Sequence, residues 1–167
     1  LQMAVTRENA PGLEDFMAEV ADWPINGVAF AFYVPTVNDS SGQDWPDLRE
    51  RDEVLDRVIA LKRQYPDIIR SRIATLELMK SDVAVETTGK HGENCVLRRD
   101  TQPLYMGTGG QFETPFCCYG NDVDCSRCGS YEVFNRAYLA SQGQDKGARY
   151  GRDGAAGVAA IVETAAE

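Results

Sequence analysis

Residues 3–35, MAVTRENAPGLEDFMAEVADWPINGVAFAFYVP, carry the pattern on which the fold turns. Met3-Ala4-Val5-Thr6 reads as a short strand. Asn9, Ala10 and Pro11 then open a helix, with Pro11 where its missing N–H is not needed. Glu14 and Asp15 fall in the first turn, where the helix dipole favours acids. Leu13, Phe16, Met17, Val20 and Ala21 recur at helical spacing and make one apolar stripe. Pro24 ends the helix. Gly27 leads into Val28-Ala29-Phe30-Ala31-Phe32-Tyr33-Val34, apolar on both faces as a strand covered on both sides should be. Strand, helix and strand in this order predict a parallel pair joined by a crossover helix, and hence an α/β fold.

Working outward, residues Thr36 to Asp47 form a polar loop rich in Asn, Asp, Ser and Gly. A second helix is expected over Leu48 to Gln64, with Val54, Leu55, Val58, Ile59 and Leu61 inward and Pro66 as its stop. Ser71 to Lys80 gives a shorter helical segment through Ile73, Leu76 and Met79. From Ser81 helical periodicity vanishes and Gly, Thr, Cys and Pro become frequent. Pro103 to Met106 and Gln111 to Thr114 flank a Gly-rich turn and predict a hairpin. Helical character returns at about Ser130 to Leu139, and a polar, Gly-rich tail follows. The organisation expected is a first portion over 1–80, a Cys-rich segment over 81–142 and a tail over 143–167.

The 167 residues include 26 acids and 17 bases, a net charge of -9. That balance argues against a broad nucleic-acid-binding surface. No stretch approaches the roughly 18 apolar residues of a membrane span, and no signal-peptide pattern is visible. The expected location is cytoplasmic. Trp23 and Trp45 read as packing residues, and His91, the sole histidine, as a surface turn residue between Gly89 and Gly92.

The sharpest chemistry lies in Cys117-Cys118-Tyr119-Gly120-Asn121-Asp122-Val123-Asp124-Cys125-Ser126-Arg127-Cys128-Gly129, with Cys95 upstream. Five cysteines, four of them crowded together in a chain without an export signal, point to a metal rather than to a disulfide framework. The Cys125-x-x-Cys128 pair can bite one centre, Cys117 or Cys118 supplies a third thiolate, and Cys95 returns as the fourth. Four thiolates suit zinc or an iron–sulfur cluster. A redox Cys-x-x-Cys and plain buried cysteines are the other readings.

The order of these pieces resembles the C-terminal half of a radical S-adenosylmethionine enzyme with an auxiliary-cluster extension of the SPASM or twitch kind. The pieces are a strand ending Thr6-Arg7-Glu8-Asn9, a helix, the strand Gly27 to Pro35, a polar loop, a helix, Cys95, a glycine-turned hairpin and the Cys segment. The resemblance covers about residues 3 to 140. It implies the last part of a partial (β/α)6 TIM-like barrel followed by a small Cys-rich hairpin domain. It also implies an auxiliary [4Fe-4S] cluster among Cys95, Cys117, Cys118, Cys125 and Cys128. Contacts to S-adenosylmethionine in the intact parent are expected at Thr6, Arg7, Asn9, Tyr33 and Pro35, with a small molecule or peptide as the parent's substrate. The family's Cys-x3-Cys-x2-Cys loop has no counterpart in this sequence. A four-thiolate cluster is coordinatively full, so this chain by itself is not expected to cleave the sulfonium. The alternative expectation is a non-catalytic, zinc-stabilised binding module.

Overall fold

β1 (Gln2–Val5) and β2 (Ala29–Phe32) pair in parallel, Met3 opposite Phe30 and Val5 opposite Phe32. These are the strands that the opening pattern predicts, in a computed structural model describing residues 1–97, 105–106, 109, 112–113 and 122–144. The crossover is a 3-10 turn (Ala10–Gly12) running into α1 (Leu13–Val20). α1 buries Leu13, Met17 and Val20. Phe16 meets Phe30 edge to face, with ring centroids 6.4 Å apart. Phe30 and Phe32 are buried while Ala29 and Ala31 on the opposite face are half-buried, so β2 is less evenly covered than its composition suggests.

α2 (Leu48–Gln64) has the expected bounds because both ends are specified locally. The Asp47 side chain accepts the Arg49 N–H at 2.9 Å, a side-chain cap of the kind helix starts prefer. Lys62 and Arg63 complement the C-terminal dipole. Val54, Leu55, Val58, Ile59 and Leu61 are all buried, each such side chain contributing about 1.5–3 kcal/mol when fully withdrawn from water.

After α2 the chain returns to the sheet. Val28 bridges Ile69 in parallel, its N–H donating to Ile68 O and its carbonyl accepting from Arg70 N. Ser71 Oγ then accepts the Phe30 N–H at 3.1 Å. The residue that leads into β2 is therefore bridged on the side away from β1, by a contact too short to stand out in Pro66-Asp67-Ile68-Ile69.

α3 (Ile73–Leu78) and α4 (Ser81–Thr88) follow. The helix α4 occupies a stretch where helical periodicity was expected to have ended. Thr87 and Thr88 return their hydroxyls to the carbonyls of Val83 and Ala84, which satisfies polar groups inside a helix of poor intrinsic formers. Its first N–H, on Ser81, is taken by Asp52 of α2 at 2.9 Å. Further on, β3 (Tyr105–Met106) and β4 (Phe112–Glu113) form the expected antiparallel hairpin. The 3-10 turn Cys125–Arg127 leads into α5 (Tyr131–Ser141), which packs against α3, α4 and β2.

One hydrophobic cluster runs from Val5 and Phe30 through Leu55 and Leu76 to Cys95, Val96, Cys128, Val133 and Phe134. Packing is thus continuous across residue 81, and the described part of 81–142 shares the core of the first portion. Trp45 is buried against Phe32, but Trp23 is 45% exposed and does not pack as expected. Among the described residues the sheets have two strands each, without a barrel. The tail expected over 143–167 lies outside the described residues except for Gly143 and Gln144.

Candidate metal centre and the cleft beside it

The segment leading to Cys125 and Cys128 is laid along the exit of β2 by backbone hydrogen bonds. Val37 N–H reaches Asp122 O at 2.7 Å, Asp124 N–H reaches Pro35 O at 3.0 Å, and Phe32 N–H reaches Gly129 O at 2.7 Å. Thr36 bridges Val123 antiparallel between them. A Cβ on Gly129 would stand 2.6 Å from the carbonyl oxygens of both Phe32 and Tyr33. Only the absence of a side chain lets the chain following Cys128 lie so close to β2.

Within the turn, Asp124 accepts the Ser126 N–H at 3.1 Å and so caps Cys125–Arg127. Cys125 and Cys128 are joined by the Cys128 N–H to Cys125 O bond of 3.3 Å. Residues three apart eclipse in a 3-10 turn, which places the two thiol-bearing positions on one side of it.

Cys95 arrives from the loop after α4. Gly89 and Gly92 take positive φ values of 79° and 74°, a region open to glycine at little cost. Glu93 folds back to accept the His91 N–H at 2.8 Å. Backbone N–H groups of Glu93 itself, His91 and Lys90 hold its carboxyl below the usual carboxylate range. His91 is exposed on this turn, as its flanking glycines predict. A Cβ on Gly92 would lie 2.9 Å from Cys125 Sγ and 3.8 Å from Cys95 Cβ. Gly92 is therefore the wedge over which the upstream cysteine and the Cys-x-x-Cys turn meet. Cys95 and Cys128 are buried and Cys125 is partly so. Among the described residues, no three His, Cys, Asp or Glu side chains stand close enough together to hold a metal ion. Cys117 and Cys118 lie outside the described residues.

Two arginines support the turn. Arg127 pairs with Asp44 and donates to the Trp45 carbonyl. Arg51 of α2, 1% exposed, donates from Nη1 to Arg127 O (3.0 Å) and Cys128 O (3.2 Å), and from Nη2 to Met79 O (3.1 Å). Burial, with a smaller push from Arg127, holds the Arg51 guanidinium below its ordinary range, and Asp52, Cys128 and Asp44 offset only part of that. Arg51 lies three and four residues before Val54 and Leu55, on the buried stripe of α2. A charge on that stripe was the available signal for this residue.

A cleft of about 320 Å³ opens where the parallel strands end, between Arg7, Pro35, Thr36, Asp44, Asp124 and Arg127. Of the expected cofactor contacts, it brings together Arg7 and Pro35. The Arg7 side chain is exposed there and its N–H is held by Gln43 O at 2.8 Å. Thr6 and Asn9 are engaged with each other. Thr6 N–H donates to Asn9 Oδ1 at 2.9 Å, Asn9 N–H donates to Thr6 Oγ1 at 3.2 Å, and the Asn9 amide reaches back to Ala4 O. Tyr33 turns its hydroxyl to Asp39 at 3.3 Å. The Ser41 N–H, Ser41 hydroxyl and Tyr33 hydroxyl hold the Asp39 carboxyl below its usual range. Thr6, Asn9 and Tyr33 thus have structural partners that account for their side chains. Asp124 and Arg127 line the cleft from the turn that carries Cys125 and Cys128, so cleft and cysteines share one short piece of backbone.

In comparisons with known proteins, the chain matches no family model, no curated protein and no solved structure.

Proposed function

We propose that this chain binds a thiolate metal centre through Cys95, Cys125, Cys128 and one of Cys117 and Cys118, an auxiliary [4Fe-4S] cluster of the kind found beside radical S-adenosylmethionine barrels. The observation that carries the reading is the meeting of Cys95 and Cys125 over Gly92, two cysteines brought from distant parts of the chain into one small space. The donor chemistry fits. Thiolates are the usual holders of iron–sulfur clusters, and a buried arginine behind the turn suits a site that gathers negative charge. When bound, such a cluster supplies an electron relay or a substrate ligand.

The chain's own residues give that centre a scaffold. Gly92 admits the close approach, Asp124 caps the turn, and Gly129 seats it on β2. In the parent enzyme, the cleft at the strand ends would take the cofactor or substrate, with Arg7 as its exposed cation.

Anaerobic reconstitution with iron and sulfide tests the reading. The expected product is brown, with broad absorption near about 400 nm from thiolate-to-iron charge transfer, and with iron and sulfide bound in equal amounts. Stoichiometric zinc without iron or sulfide would instead favour a structural four-cysteine module. The burial of Cys95 and Cys128 in the continuous core favours that second reading to this extent, that an ion there would also tie the loops to the body.

A further inference from the structure

The cleft at the strand ends is lined by two polar groups that the fold leaves without partners, and they are of opposite kind. Arg127 spends its Nε on Asp44 Oδ2 and its Nη2 on the Trp45 carbonyl, so its pair with Asp44 has a single prong. Asp44 Oδ1 is left withdrawn from water, without a donor among the described residues. Such an acceptor is costly to leave unmade, and most buried polar groups are satisfied. The Arg7 side chain is exposed on the same cleft. Among the described residues its guanidinium has neither ion pair nor hydrogen bond, since what Gln43 O holds is the backbone N–H. The other carboxylates lining the cleft are already engaged, Asp39 by Ser41 and Tyr33 and Asp124 by the Ser126 N–H.

We propose that this cleft binds a small zwitterion, with its carboxylate at Arg7 and its ammonium at Asp44 Oδ1. The inference rests on the reading of the cleft as a ligand site and takes nothing from the cysteines. The volume of about 320 Å³ stands at the low end of small-molecule sites, which run to about 1,000 Å³, so it suits a metabolite rather than a chain segment. Charge then selects among small molecules. Three aspartates and two arginines line the cleft, and of the arginines Arg127 is already paired. A purely anionic ligand such as phosphate would therefore face more negative charge than positive. A purely cationic ligand would leave Arg7 unused. A zwitterion answers both groups. The carboxylate torsion of an aspartate is soft, so a small turn about it presents Oδ1 to an ammonium without moving the backbone.

The test titrates the isotopically labelled full chain with ω-amino acids of increasing length, from glycine to aminohexanoate. Acetate and butylamine serve as controls with a single pole. Binding is read by nuclear magnetic resonance from the backbone signals of Thr36, Val37 and Gly42 on the cleft wall, so a chain that holds no metal still answers for the cleft. The expected result is one length that binds best, about tenfold or more tighter than either control. Arg7→Gln should weaken it about two- to fivefold at low salt, a gap that closes at high salt. Asp44→Asn should weaken it about tenfold or more. If that variant does not fold, Arg7→Gln carries the test, because its side chain is exposed. A control that binds as tightly as the best amino acid overturns the proposal, and so does an Arg7→Gln chain that titrates like wild type. Signals that move only away from the cleft, or with no probe at all, overturn the reading of the cleft as a ligand site as well.

Discussion

Gly129 and Gly92 are the glycines at which the segment carrying Cys125 and Cys128 meets β2 and the loop of Cys95. At Gly129 the obstacles to a methyl group are two main-chain carbonyl oxygens, which have no rotamer to escape into. Gly129→Ala should force the turn off β2, break the Phe32 N–H to Gly129 O bond and destabilise the protein by about 1–3 kcal/mol, the range for overpacking. Urea unfolding at constant m-value measures it; a change within error would mean that β2 and the turn separate at little cost. The cysteines are tested at the same scale. Cys125→Ser and Cys128→Ser should each abolish metal retention, Cys95→Ser should weaken it strongly, and only one of Cys118→Ser and Cys117→Ser should matter, with Cys118 expected to be the ligand. Metal content after gel filtration decides this. Equal losses in both of the last two variants would contradict a single ligand from that pair.

At the scale of elements, α1 and α2 are clasped by the Glu14–Arg57 pair on their outer surface. The Arg57 guanidinium holds the Glu14 carboxyl below its usual range. A depressed folded value means that the pair stabilises fully above the ordinary carboxylate value of about 4.3, and that the contribution fades as pH falls through the folded value. The side chains are 37% and 51% exposed, so solvent and salt screen the pair and it contributes below about 1 kcal/mol. Glu14→Gln should therefore lower the urea midpoint slightly at pH 7 and low salt, and the difference should shrink as the pH falls below the ordinary carboxylate value. A difference that does not change with pH or with salt would assign the effect to something other than the charge.

The elements also show what can be read from residues alone. α2 is legible because cap, stripe and terminal charges agree, and the hairpin because glycines mark its turn. The parallel pair follows from two apolar runs separated by a helix. α4 is not legible, since its threonines and valines make a poor helical pattern and its support comes from tertiary neighbours such as Asp52. Ile69 joins the sheet by a single bridge, too short to leave a period. Of the candidate site, the cysteines are conspicuous in the sequence by chemistry and spacing, and the fold brings Cys95 and Cys125 to Gly92. Gly92, Gly129 and Asp44 act through positions that only the fold creates, while Arg51 leaves one mark, a charge on an apolar stripe.

At the scale of the whole chain, the four-thiolate centre proposed above has a direct consequence. Reductive cleavage of a sulfonium requires an iron with an open position, and four thiolates leave none. The reconstituted chain, given a strong reductant and S-adenosylmethionine, should release no 5′-deoxyadenosine above a protein-free control. Chromatographic detection of more than one equivalent per chain would show that one of Cys95, Cys117 and Cys118 leaves an iron open, making this centre the catalytic one.

The meeting over Gly92 has a further meaning for the path of the chain. Cys95 and the turn that begins at Asp124 lie side by side on the body, yet the β3–β4 hairpin comes between them in sequence. Cys95 and Cys125 thus give the chain neighbouring points on the described body, and closing a loop between two such points costs only slowly more entropy as it lengthens. Points so placed can be joined by a short linker. Replacing residues 99–120 with a short Gly/Ser linker should leave the β1–α5 body cooperatively folded by circular dichroism while removing the metal. Loss of the folded body would show instead that the replaced stretch carries part of the core.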